Sequence, residues 1–129
     1  MEWDKYAKYA PFAVRLGLSL VLLWFGIDEL RHPGVWASLV PSWLTSLLHV
    51  SDLTFMRFNG VFELLLALLL LIGWFTRIVA AIVVLHFAGI IYAVGYGDIA
   101  IRDLGLLLAA LSLVLSGAGW GSVDNHKNV

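Results

Sequence analysis

Four runs of apolar residues decide what this chain can fold into. They cover roughly 11–30, 53–73, 75–95 and 100–117. Each is near the ~20 residues that a helix needs to cross a ~30 Å hydrocarbon core. Lipid offers backbone groups no hydrogen-bond partners, so a spanning segment pairs its own and is a helix. Composition agrees: 61% of the 129 residues are hydrophobic and 13% charged, where soluble domains sit near half and a quarter. The ends are punctuated as helix ends are, by Pro11, Gly73, Gly95 and Gly117. The expected fold is therefore all-α, a four-transmembrane-helix bundle, and residues 1–129 are read as one integral membrane domain. The first run is too long for the apolar part of a signal peptide and has no small-residue cleavage site after it. It reads as a retained span.

The connection 31–52 is long for a bundle. Its apolar residues, Val35, Trp36, Leu39, Val40, Trp43, Leu44, Leu47 and Leu48, fall at helical spacing. Ser38, Ser42, Thr45 and Ser46 occupy the opposite side, and Pro33 and Pro41 suit helix starts. One or two short amphipathic helices over about 33–49, lying at the interface, are expected. They serve either as a lid over the bundle or as a plain surface anchor. The tail 122–129 is polar and reads as frayed.

An even number of spans puts both termini on one side. That side holds Lys5, Lys8, Arg15, Arg77 and Lys127; the other holds Arg31, Arg57 and Arg102. The basic excess predicts cytoplasmic termini of a multi-pass cell-membrane protein. Arg15 and Arg77, near the inner ends, read as snorkelling anchors.

Against this background one acid stands out. Glu63 lies inside the second run, six residues or ~9 Å beyond Arg57. A lone charge at a span's centre costs ~2.5–3.5 kcal/mol, whereas an interhelical hydrogen bond in a membrane returns ~0.6 kcal/mol on average. Glu63 is therefore expected to face inward, toward a donor on another span, with His86 and Arg102 foremost and Arg57 and Asn59 also in reach. A pair that only fixes helix register is the competing reading. The candidate ligand-binding or proton-relay residues are Glu63, His86, Asn59, Arg102, Asp103 and Asp28, gathered in the half of the bundle away from the termini. Asp28 and its neighbours Glu29 and Arg31 are also ordinary helix-end charges. Small residues, Gly17, Gly26, Gly60, Ala67, Gly89 with Ala93 and Gly105 with Ala109, mark faces suited to close helix approach.

Other chemistries are excluded by what the sequence lacks. Without cysteine, no disulfide, thiolate metal site, iron–sulfur cluster or thiol redox step belongs to this chain. The four histidines show no metal-ligand spacing, and no metal is expected. A net charge of −1 implies no nucleic-acid surface.

The segments RLGLSLVLLWFGIDEL, WASLVPSWL, NGVFELLLALLLLIGWFTR and RDLGLLLAALSLVLSGAG resemble the DoxX-like membrane proteins, in the same order along almost the whole chain. The resemblance implies a four-helix membrane bundle. Its known branches include small membrane subunits of an archaeal thiosulfate:quinone oxidoreductase and mycobacterial proteins that associate with a superoxide dismutase and a sulfurtransferase. Distant eukaryotic relatives are assembly chaperones. The resemblance singles out Arg15, Gly26-Ile27-Asp28, Glu63 and Arg102-Asp103. Many members carry lysine where this chain has Glu29. It also sets the functional expectation: a membrane subunit of a redox or respiratory assembly, with a pocket for a quinone or small hydrophobic ligand. The expected partners are lipid and other membrane or peripheral redox subunits, and a homo-oligomer is also compatible. A non-enzymatic scaffold or chaperone is the alternative, and a small transporter or proton pathway a third. Neither enzyme nor non-enzyme follows from the residues.

Overall fold

The computed structural model describes residues 1–126; the expectations for Lys127 and the last residues of the tail lie outside it. After a 3-10 helix at Glu2–Tyr9 come α1 (Ala10–Arg31), α2 (Pro33–Ala37), α3 (Ser42–Leu48), α4 (Asp52–Ile72), α5 (Thr76–Val94), α6 (Asp98–Ser116) and α7 (Val123–His126). The described chain is all-helical, and α1, α4, α5 and α6 are long and apolar enough to cross a membrane. The fourth of these starts at Asp98, two residues before its apolar run.

The helix ends follow from local chemistry. Ser51 caps α4 by accepting the amide of Thr54 at 3.1 Å. Gly73 ends the same helix in the left-handed region, φ 71°, so that its amide and that of Trp74 bond back to Leu69. The reversal into α5 needs a second positive φ, at Phe75. Here Asp124 reaches in from the tail. Its two carboxylate oxygens accept the amides of Phe75 and Thr76 at 2.8 Å each, two of the donors a helix start leaves unpaired. The tail is thus docked through residue 126 rather than frayed, and Ser122 is buried.

The spans pack as two close antiparallel pairs, α1 with α4 and α5 with α6; α1 also touches α6. Leu18, Leu22, Leu66, Ala67, Leu70, Val83 and Leu113 are buried at the shared core. Leu20, Trp24, Leu65, Leu85 and Leu115 are more than half exposed, so the helices are apolar outside as well as inside. Lipid is as apolar as leucine, so tight packing replaces water exclusion as the cause of association. The α1–α4 pair shows how. A Cβ on Gly26 would stand 2.9 Å from the Gly60 carbonyl oxygen, and one on Gly60 would stand 3.0 Å from the Gly26 carbonyl. Gly17, Gly89 and Gly105 make no such approach.

At the terminal end the expectation for Arg15 is overturned. Its side chain does not snorkel outward. The residue is 1% exposed, and its guanidinium donates to five carbonyls, those of Leu70, Leu71, Ala118, Trp120 and Gly121, at 2.7–3.1 Å. Two of these, on Leu70 and Leu71, lie in the last turn of α4, where carbonyls run out of partners within the helix. One planar fork with five donors ties α1, α4 and the tail together through backbone carbonyls. Arg77 stays at the surface, but its head also serves carbonyls, those of Val114 and Leu115 at the end of α6.

Candidate functional site

At the end of the bundle away from the termini a cavity of about 380 Å³ lies between the two helix pairs. Ligand pockets begin near this size. Leu22, Phe25, Met56, Phe87 and Ile90 give it apolar walls. Trp36, Leu39, Val40, Trp43 and Leu44, from α2, α3 and their link, roof it. The expected interfacial segment is therefore two short helices, and they cover the bundle. Their amphipathic pattern is not as expected. Thr45 is buried, its hydroxyl bonded to the Ser42 carbonyl at 3.4 Å, while Val35, Trp43, Leu47 and Leu48 are at least half exposed. Outward apolar side chains suit a segment lying in the headgroup region. The α5 wall is continuous with the lipid-facing surface, since Leu85 and Tyr92 line the cavity yet are 73% and 81% exposed.

The polar end of the cavity is built from four spans. Asn59 and Glu63 sit one turn apart on α4. His86 comes from α5, with Nε2 at 2.7 Å from Glu63 Oε1. Asn59 Nδ2 lies 3.5 Å from the same oxygen. The imidazole is held between Phe62 and Phe87, with ring centroids at 5.3 and 5.7 Å. Of the donors the sequence offers Glu63, His86 takes it and Arg102 does not. Arg102 turns to its neighbour Asp103, through Nε at 2.8 Å and Nη2 at 2.7 Å. Its guanidinium also lies 4.3 Å from the centre of the Phe25 ring, within cation–π range. Arg57 is exposed and does not line the cavity.

Two candidates stand outside the cavity. Asp103 is fully buried behind Arg102 and orients its guanidinium. Asp28 points toward the roof. It accepts Trp36 Nε1 at 2.7 Å and faces His32 Nδ1 at 3.1 Å, so it fastens α2 to the end of α1. The residue missing from the sequence-based candidates is Glu29. It is 5% exposed, lines the cavity and accepts Asn59 Nδ2 at 2.8 Å. Its signal is present in the spacing: Leu22, Gly26 and Glu29 recur at helical intervals on one face, which leaves Asp28 off it.

The arrangement is rich in acids. Glu29, Glu63 and Asp103 gather around one arginine and one histidine, and among the described residues Glu63 Oε2 and Asp103 Oδ2 are buried without a hydrogen-bond partner. A buried polar atom left unbonded costs ~1–3 kcal/mol. Among the described residues no group of three His, Asp or Glu side chains could hold a metal ion.

Compared with known families, residues 10–96 match the DoxX family model. The match takes in α1 to α5 and stops short of α6, which carries Arg102 and Asp103. No curated protein and no solved structure matches the chain.

Proposed function

The chain belongs to the DoxX family, and from that premise we propose that it is the membrane subunit of a redox assembly, holding a quinone or similar small hydrophobic ligand in the roofed cavity. One observation carries the reading: an apolar slot between helix pairs ends in the Glu63–His86 contact at 2.7 Å. A quinone ring needs apolar walls, polar groups for its oxygens and a route for protons. Phe25, Phe87 and Ile90 supply the walls. The Glu63–His86 pair, both partners titratable, supplies a place to hold or pass a proton at Glu63 Oε1 or His86 Nε2. Arg102, fixed by Asp103, supplies a cation near the slot. When bound, a quinone contributes a two-electron, two-proton couple. The chain itself has no cysteine and so no thiol or iron–sulfur carrier, and the electrons are assigned to a partner subunit.

The test is purification of the chain from its native membrane, with identification of the proteins, quinones and lipids that accompany it. A redox protein and a quinone are expected with the wild-type chain. Gly89→Phe, which adds a ring to the cavity wall where a Cβ meets nothing within 4 Å, is expected to lose the quinone and keep the protein partner. A chain that carries phospholipid alone would defeat the proposal. A non-redox partner with no quinone would support the scaffold reading instead.

A further inference from the structure

The donors around the cavity's polar end are largely committed. Asn59 has two amide hydrogens, and its nitrogen faces Glu29 at 2.8 Å and Glu63 Oε1 at 3.5 Å. His86 Nε2 is taken by the same Glu63 oxygen. Trp36 gives its indole N–H to Asp28. Arg102 directs Nε and Nη2 to Asp103. Two groups thus converge on Glu63 Oε1. Oε2 of the same carboxylate is buried with no partner among the described residues, and Glu63 lines the cavity, so a ligand there meets Oε2 once the carboxylate turns about its last, softly held bond. A carboxylate oxygen is an acceptor. What answers it has to bring its own hydrogen.

Resting on the quinone-type reading above, we infer that the cavity selects amphipathic ligands whose head group donates a hydrogen bond, with Glu63 Oε2 as the acceptor. It takes the hydroxyl of a hydroquinone or phenol in preference to a quinone carbonyl or an ether. The apolar walls accept either kind of ring equally and Arg102 Nη1 can donate to the oxygen of either, so the discrimination lies at Glu63 Oε2. A site whose buried polar group is left unpaired by the wrong ligand discriminates far better than one that measures size alone.

The probe pair is 4-decylphenol and 4-decylanisole, which share ring and chain and differ in O–H against O–CH3. Binding to the full chain in lipid nanodiscs is read from the fluorescence of the cavity residues Trp36 and Trp43, and by displacement of decylubiquinone. The phenol is expected to bind at least about tenfold tighter, the size of the cost of leaving one buried acceptor unanswered. Glu63→Gln keeps the shape and lets the amide oxygen stay with His86, which turns an N–H2 toward the ligand. The phenol preference should then fall to about threefold or less, and decylubiquinone should bind more tightly than to the wild type. Equal binding of phenol and anisole to the wild-type chain would overturn the inference and leave the quinone pocket standing. A tenfold preference that survives Glu63→Gln in a folded variant would also overturn it. Failure of all three probes to bind would remove both the inference and the pocket beneath it.

Discussion

At Glu63 the energetic question raised by an acid inside a span has a geometric answer. The acid is not left alone: His86 stands at 2.7 Å and Asn59 at 3.5 Å. Removing the partner should therefore cost more than removing the acid. His86→Ala leaves a buried carboxylate with one distant donor and is expected to lower stability by about 1–3 kcal/mol. Glu63→Gln is expected to hold the melting temperature or raise it, because a neutral amide costs less to bury. The double variant should recover much of the His86→Ala loss, since the uncompensated charge is gone. Thermal unfolding of the three variants in one detergent gives the coupling energy directly; additive losses would mean the pair is not an energetic unit. Insertion cost makes this pairing legible in the sequence alone, because it applies to any acid in mid-span. It gives no direction at helix ends, where charge is inexpensive. Asp28 and Glu29 are adjacent, and only the face of α1 tells them apart: one holds the roof, the other lines the cavity. Arg15 departs from its expected role for a related reason. Position near a span's end suggests snorkelling, but five backbone carbonyls, gathered from α4 and the tail, have no sequence signature.

The elements themselves are legible in the sequence, and their packing only partly so. Length and hydropathy mark α1, α4, α5 and α6 because the bilayer imposes both, and Gly73 and Gly117 mark ends because each adopts a positive φ. Glycine spacing, by contrast, proposes close contacts without choosing among them. Gly26 and Gly60 meet each other across α1 and α4, while Gly17, Gly89 and Gly105 face open space. The difference is testable within one residue type. Gly26→Ala sets a methyl group against a backbone oxygen at 2.9 Å and is expected to cost about 1–3 kcal/mol through forced separation of the helices. Gly105→Ala meets nothing and replaces a poor helix former, so it should be neutral or stabilising by up to ~1 kcal/mol. Equal effects of the two in thermal unfolding would mean that α1 and α4 do not touch at these glycines. The docking of α7 escapes a sequence reading because Asp124 sits in a polar tail that reads as loop, and its partners are the backbone amides of Phe75 and Thr76, which every residue type but proline carries alike.

For the molecule as a whole, the open quantity is direction across the membrane. The four spans place the roofed cavity and the chain termini at opposite ends, so fixing one side fixes the other. The basic residues favour cytoplasmic termini by five to three. The structure alters what those five are: Arg15 is buried on backbone carbonyls and Arg77 is bonded to the α6 end, which leaves Lys5 and Lys8 as the exposed basic residues before α1. The opposite end spends Arg102 on Asp103 and keeps Arg31, Arg57, Asp52 and Asp98 exposed. We propose that the roof faces away from the cytoplasm, so that any ligand entering along the α5 wall comes from the outer leaflet. The absence of cysteine makes the test clean, because each introduced thiol is the sole target in the chain. Ser46→Cys on α3 and Glu2→Cys before α1 are both at exposed positions. In intact cells a membrane-impermeant maleimide is expected to label the first and spare the second, with both labelled after the membrane is opened. The reverse pattern would turn the protein over, put the cavity at the cytoplasmic leaflet and place its redox partner on the inner side of the membrane.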